Sequence, residues 1–276
     1  MNSAASALSP MDFQFLRDLV RSKSAIVLED GKEYLVQSRL SPLLRSEGMS
    51  SLTELIQAIR NRKPGLEGKI IDAMTTNETS FFRDIHPFEA LRTTIIPELM
   101  EKRRAVRQLN FWCAASSSGQ EPYSLCMMLR ENFPELAGWQ VKFLATDISP
   151  SMIEKSKSGK YTQLEVNRGL PAQYLVKYFE RAGADWQIKS ELRSMVDYRL
   201  ANLAEPLPVM APIDIVFIRN VLIYFDRDTK KRILQGIKKN LKPDGVLMLG
   251  SSETTFNIDE GWASRPIGKT IVYTAQ

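Results

Sequence analysis

The apolar positions change period once along the chain. Over the first third they recur every three or four residues. Phe13, Leu16, Leu19 and Val20 share one face, as do Leu35, Leu40, Leu43 and Leu44, and then Leu52, Leu55, Ile56 and Ile59. The stretches "EDGK", "SEGMSS" and "RKPG" interrupt these runs with residues that end one helix and cap the next. The pattern predicts an all-α domain over residues 1–85 and a linking helix, "HPFEALRTTIIPELMEKRR", within 86–107. From 108 to 276 short apolar runs alternate with helical stretches. "LNFWCAA", "QVKFLATD", "IDIVFIRN" and "GVLMLGS" read as strands, with helices opening near 121, 150 and 227. Such alternation implies an α/β fold: a doubly wound, mostly parallel sheet with helices on both faces. "DWQIKSELRSMVDYRLANL" breaks the alternation and predicts a small antiparallel β insertion over 183–200.

With 276 residues, 43% apolar and 25% charged, the chain has the composition of an ordinary globular protein long enough for two domains. It holds no apolar run approaching about 18 residues and no signal-peptide pattern, so a cytoplasmic protein without membrane insertion is expected. The net charge of +5 arises wholly after residue 140, since acids and bases balance before it. Basic runs such as "EKRRAVR" and "KKNLK" fall on or beside predicted helices and read as solvated faces, so charge gives no reason to expect a nucleic-acid partner. Cys113 and Cys126 sit in apolar company and read as buried small hydrophobes.

Ligands of doubly wound sheets bind beyond the carboxyl ends of the strands. There the sequence places Ser116 to Glu121, Asp147, Asn202 with Leu203, and Arg219 with Asn220. The first loop lacks the G-x-G-x-x-G spacing, and Glu121 stands where it would repel a phosphate. Asp147, ending the second strand, is placed to accept hydrogen bonds from two ribose hydroxyls, with a helix cap as its plainer alternative. A nucleoside with an amino-acid tail fits both acids, because its ammonium suits Glu121. S-adenosylmethionine has those properties. Metal and nucleophile chemistry find no support: the single histidine, His86, has no companions at ligand spacing, and Ser116 to Ser118 lack the G-x-S-x-G elbow.

"TTNETSFFRD" (75–84), "AASSSGQEPYS" (114–124), "ATDIS" (145–149), "ANL" (201–203), "IRNVLIYFD" (218–226) and "LKPDGVLMLGSSE" (241–253), in this order, resemble the chemotaxis receptor glutamate methyltransferases, the CheR family. The resemblance spans nearly the whole chain. It implies a Rossmann-like methyltransferase with S-adenosylmethionine as cofactor, S-adenosylhomocysteine as product, and no metal. Asn77, Thr79 and Arg83 would close over the methionyl part; Glu121, Asp147, Asn202, Leu203, Arg219 and Asn220 would complete the pocket; Arg83 and Tyr224 would stand nearest the methyl group. The implied substrates are glutamates on the cytoplasmic signalling region of membrane chemoreceptors, to which the enzyme would be recruited during adaptation. Lys32, Arg39 and Arg45 would meet the receptor, although Ser41 and Pro42 replace intervening basic positions. The short insertion lacks the glycine-bracketed turn of members that grip a receptor's C-terminal peptide, so no tight peptide tether is expected. For Arg83 the alternative is an ion pair with Asp84 or another acid; for Tyr224 it is core packing, and Phe81 and Phe82 read as packing between domains. A methyltransferase of RNA or another protein, and a non-catalytic cofactor-binding adaptor, remain the alternative functions.

Overall fold

The computed structural model describes residues 8–276. These form two compact units, one comprising the chain up to Thr76 with Tyr224–Thr229, the other Asn77–Ile223 with Lys230–Gln276. The "TTNETSFFRD" stretch is therefore divided: residues 77–85, expected at the end of the helical domain, group with the larger unit, as does the 86–107 link.

The smaller unit holds α1 (Pro10–Ser24), α2 (Glu33–Glu47), α3 (Leu52–Arg60) and α4 (Leu66–Met74). Ser9 and Ser51 cap α1 and α3 by accepting the Asp12 and Glu54 amides at 3.1 and 3.2 Å. Gly48 ends α2 at φ 69°, a left-handed turn that glycine adopts without steric cost. The periodic residues Leu16, Val20, Leu40, Leu55 and Ile56 are buried with Ile70 and Met74 of α4, whereas in α2 Val36 takes the buried place expected of Leu35, which is half-exposed. Helix α2 runs through Pro42, which has no N–H for the Ser38 carbonyl.

The larger unit opens with α5 (His86–Ala90) and α6 (Ile96–Lys102), joined by a π-helical turn over Leu91–Ile95. In that turn the Ile96 amide reaches back five residues to Leu91, and Pro97 follows with no amide to donate. The remaining helices are α7 (Gln120–Asn132), α8 (Pro150–Ser158), α9 (Gln163–Asn167), α10 (Ala172–Tyr178), α11 (Ser190–Arg193) and α12 (Arg227–Asn240). The strands are β1 (Gln108–Ala114), β2 (Gln140–Asp147), β3 (Lys160–Tyr161), β4 (Phe179–Ala182), β5 (Asp185–Ile188), β6 (Val196–Leu200), β7 (Ile213–Ile218), β8 (Leu241–Leu249), β9 (Trp262–Ile267) and β10 (Thr270–Ala275).

Seven strands form one sheet in the order β6-β2-β1-β7-β8-β10-β9, parallel except for β10, which runs antiparallel to both neighbours. The chain winds outward from β1 through β2 to β6, then returns to β7 and winds the other way. The order therefore reverses between β1 and β7, and a crevice opens beyond their carboxyl ends. Strand β7 is buried throughout and β1 at all but its first residue, as central strands covered on both faces must be.

Two corrections to the sequence reading concern strands. The antiparallel insertion is a three-stranded sheet ordered β3-β5-β4, so it begins at Lys160 and ends at Ile188, while residues 196–200 are β6, an edge strand parallel to β2. Residues 196–200 alternate buried Val196 and Tyr198 with exposed neighbours, a pattern that a half-exposed edge strand of the main sheet shares with an antiparallel insertion. The β9–β10 hairpin, turning at Gly268 and Lys269, was not anticipated.

A third correction concerns charge. Arg103 and Lys242, from the two basic runs read as solvated, instead surround Asp214, which is wholly buried in β7. Asp214 accepts from Arg103 Nε at 2.8 Å, from Lys242 Nζ at 2.9 Å and from the Asn110 amide at 2.8 Å. A buried carboxylate requires such partners, and only the fold could supply them.

Candidate active site

The loop after β1 replaces glycines with strained small residues. Ala115, Ser117 and Gly119 all have positive φ (55°, 48° and 89°). Among the described residues, five of the nine non-glycine residues at positive φ are Phe82, Asp84, Ala115, Ser117 and Asn220, so backbone strain concentrates around the crevice, as at functional sites generally. At Gly119 a Cβ would stand 2.8 Å from the Tyr198 hydroxyl. Asp147 ties the loop down: its buried carboxylate accepts the Ser117 amide at 2.7 Å and the Ser149 amide at 2.9 Å. The Ser117 hydroxyl in turn donates to the Asn77 carbonyl at 2.9 Å, which brings the 77–85 segment to the loop.

That segment is fastened at several points. Phe81 is buried edge-on against Tyr161 and Phe179, with centroids 5.1 and 5.7 Å away. Phe82 packs on Phe88 and Tyr174, and its amide donates to the Ser124 hydroxyl at 3.0 Å. Gly169 passes so close that a Cβ would lie 2.0 Å from the Phe81 carbonyl oxygen. These aromatics thus anchor the segment within the larger unit. Arg83 does not pair with Asp84; its guanidinium donates to the Glu78 carbonyl at 2.9 Å.

Arg219, just past β7, makes the central connection. Its side chain is 2% exposed and donates to Glu121 at 2.7 Å, to Asp84 at 2.9 Å and to the Arg83 carbonyl at 3.0 Å. Glu121 lies in the first turn of α7, where the helix dipole favours an anion. Burial nevertheless pushes its carboxyl above the usual range, opposed by Arg219 and, more weakly, by Arg83. A second cation beside Glu121 would therefore be welcomed. Ser116 Oγ and Arg219 Nε are buried without a hydrogen-bond partner among the described residues, leaving polar atoms for a ligand at the same place.

Of the other candidates, Asn202 folds its side-chain oxygen onto the Ala204 amide at 3.0 Å, Leu203 is buried, and Thr79 and Asn220 are half-buried. Tyr224 and the three basic candidates belong to the smaller unit. There Tyr224 accepts the Val27 amide on its carbonyl at 2.9 Å. Arg45 is exposed in the last turn of α2, and Lys32 half-exposed before its first. Arg39 is turned inward: it caps α4 at the Met74 carbonyl and donates to the Thr76 hydroxyl at 2.6 Å. His86 pairs with Glu89 at 3.0 Å on the surface, and no cluster of potential metal ligands occurs among the described residues. Sequence reasoning named Ser117 and Asp84 without seeing how they tie the site together, and it missed Gly169. The first two are polar residues in ordinary-looking loops, and nothing in their own neighbourhood announces a left-handed backbone.

An acid at the end of β2, a second acid opening the helix after β1 and unpartnered buried polar atoms on Ser116 and Arg219 mark the candidate site of a doubly wound protein. Residues 77–268 match the CheR methyltransferase SAM-binding domain, and residues 11–75 the CheR methyltransferase all-alpha domain. Chemotaxis protein methyltransferase 1 of Pseudomonas aeruginosa is 42% identical over 99% of this chain and 100% of its own. A chemotaxis protein methyltransferase of Pseudomonas putida is 41% identical over 96% and 98%, and one of Vibrio anguillarum 38% identical over 98% of both. The chain belongs to the CheR family of S-adenosylmethionine-dependent chemotaxis methyltransferases. No helix among the described residues is long and apolar enough to cross a membrane.

The raised Glu121 carboxyl gives a pH signature. If Glu121 meets the ligand's ammonium, S-adenosylhomocysteine, which carries the same group, is expected to bind more weakly as pH falls through the raised Glu121 value, because protonation would remove that anion. The loss begins above the usual carboxylate range near pH 4.3. Calorimetry across pH checks this: Glu121→Gln should bind weakly throughout and lose the dependence.

Proposed function

We propose that this protein transfers the methyl group of S-adenosylmethionine to glutamate side chains on the cytoplasmic signalling region of membrane chemoreceptors, forming methyl esters in chemotactic adaptation. The observation that carries the reading is the Arg83 turn, which Phe81 and Phe82 fasten and which Arg219 joins to Glu121 by donating to both the Arg83 carbonyl and the Glu121 carboxylate. A cation beside the methyl-donor pocket suits a carboxylate substrate. When bound, the cofactor supplies a methyl group on a sulfonium, and attack by a carboxylate oxygen yields the ester and a neutral thioether.

The nucleophile is already ionised, since glutamate has a reference pKa of about 4.3, so no general base is required. The protein's residues need only bind, align and exclude water. Asp147 holds the ribose, Glu121 the ammonium, Asn202 and Leu203 the adenine side, and Asn77, Thr79 and Asn220 complete the pocket. Arg83 aligns the incoming carboxylate, and the Tyr224 hydroxyl fixes its approach. Lys32 and Arg45 on the surface of α2 meet the receptor, while Arg39 supports that surface from behind by holding the end of α4. The β4–β5 hairpin turns through Gly183 and Ala184 alone, and its Trp186 ring is occupied by Arg181 at 3.9 Å, so a receptor's C-terminal peptide finds no tight tether there. The protein works in the cytoplasm, recruited to receptors, and needs no nucleic acid.

Incubation with labelled S-adenosylmethionine and membranes carrying candidate receptors tests the reading. Base-labile methyl esters on receptor glutamates, mapped by mass spectrometry, are expected at equal rates with and without the receptor's C-terminal peptide. Label in RNA or on other side chains, or no turnover, would overturn it.

A further inference from the structure

Beyond β7 and β8, neighbouring parallel strands, the two loops interlock through one side chain. Glu253 Oε2 accepts the amides of Asn220 and Gly250, each at 2.8 Å. Its Oε1 accepts those of Val221 at 2.9 Å and Ile223 at 3.4 Å. The loops meet so closely at Gly250 that a Cβ there would lie 2.7 Å from Glu253 Oε2 and 2.9 Å from both nitrogens of Asn220. Asn220 itself is held at φ 58°, a left-handed conformation that persists only when its surroundings fix it. Asn220 directly follows Arg219, whose side chain donates to Glu121 at 2.7 Å, so the loop that Glu253 holds is the one that carries Arg219.

We infer that Glu253 is a positioning residue for cofactor binding: its carboxylate collects the backbone amides of Asn220, Val221 and Ile223 and so sets the turn that presents Arg219 and Asn220 to the pocket. The inference rests on the methyl-donor site proposed above. Only an acceptor at both ends can do this. A glutamine would direct an NH₂ group at one pair of amide donors, and an aspartate lacks the length to reach both loops.

The test uses the full chain and S-adenosylhomocysteine. Glu253→Gln should raise its Kd, and the KM for S-adenosylmethionine, together by about tenfold, while kcat at saturating cofactor falls less than threefold. Amide hydrogen exchange should show lost protection at Asn220, Val221 and Ile223 with β1 unaffected. Should this variant not fold, Gly250→Ala, whose Cβ pries the carboxylate and the Asn220 loop apart while keeping the charge, should give the same rise in KM. Unchanged Kd and KM in the folded variant, or protection lost equally across the larger unit, would overturn the inference. Absence of binding by the unaltered protein would instead refute the donor site itself.

Discussion

Replacing Arg83 with alanine is expected to slow methyl transfer at saturating cofactor by about 100-fold or more, the range seen when a preorganised charge-stabilising donor is removed. The residue's own surroundings explain why the loss is not easily made good. Phe81 and Gly169 pin the backbone on one side and Arg219 on the other, so the turn is not free to rearrange around the smaller side chain. Arg83→Lys should recover only part of the rate, because a point charge cannot reproduce bidentate alignment of a carboxylate. Tyr224→Phe should cost less, about 5- to 30-fold, the equivalent of one hydrogen bond of roughly 1 to 2 kcal/mol. Neither change should alter the pH profile: between about pH 8 and 6 the substrate carboxylate stays ionised, and the chemical step should be nearly flat. Single-turnover measurements decide this. A tenfold rise in rate per pH unit, abolished in Tyr224→Phe, would sink the base-free mechanism.

Asp147→Ala is expected to weaken S-adenosylmethionine and S-adenosylhomocysteine equally, since both carry the ribose. Loss of a charge-assisted hydrogen-bonding pair suggests about 1.5 to 3 kcal/mol, or roughly 10- to 150-fold in Kd. The structure gives the carboxylate a second task, tying the Ser117 and Ser149 amides together, so alanine also releases the loop after β1. Asp147→Asn keeps one acceptor oxygen and should fall between. Calorimetry on folded variants checks the series, and unchanged affinity in the alanine variant would remove Asp147 from the pocket.

Much of this protein can be read locally. The 3.6-residue spacing in the first third marks α1, α2 and α3, because a helix that buries one face must repeat apolar residues at that interval. The continuous apolar runs of β1 and β7 mark central parallel strands for the same reason. Glu121 and Asp147 are legible as ligand-binding candidates because strand ends of a doubly wound sheet are where ligands sit. Each of these signals lies within one segment.

What the chain alone could not disclose depends on residues far apart in sequence. Asp214 looks like a defect in an apolar strand until Arg103 and Lys242 close around it, and both had the appearance of surface charges. Strand β6 passes for part of an antiparallel insertion until its pairing with β2 is seen. Arg219 joins Glu121 to the Arg83 turn across about a hundred residues, and Glu253 gathers amides some thirty residues away. The sequence by itself determined the periodicities, the breaks between elements and which polar residues end the strands, since those follow from local backbone and solvation preferences. Tertiary structure alone decided which charges neutralise one another and which amides a carboxylate collects, because Coulombic and hydrogen-bonding partners are set by distance in space.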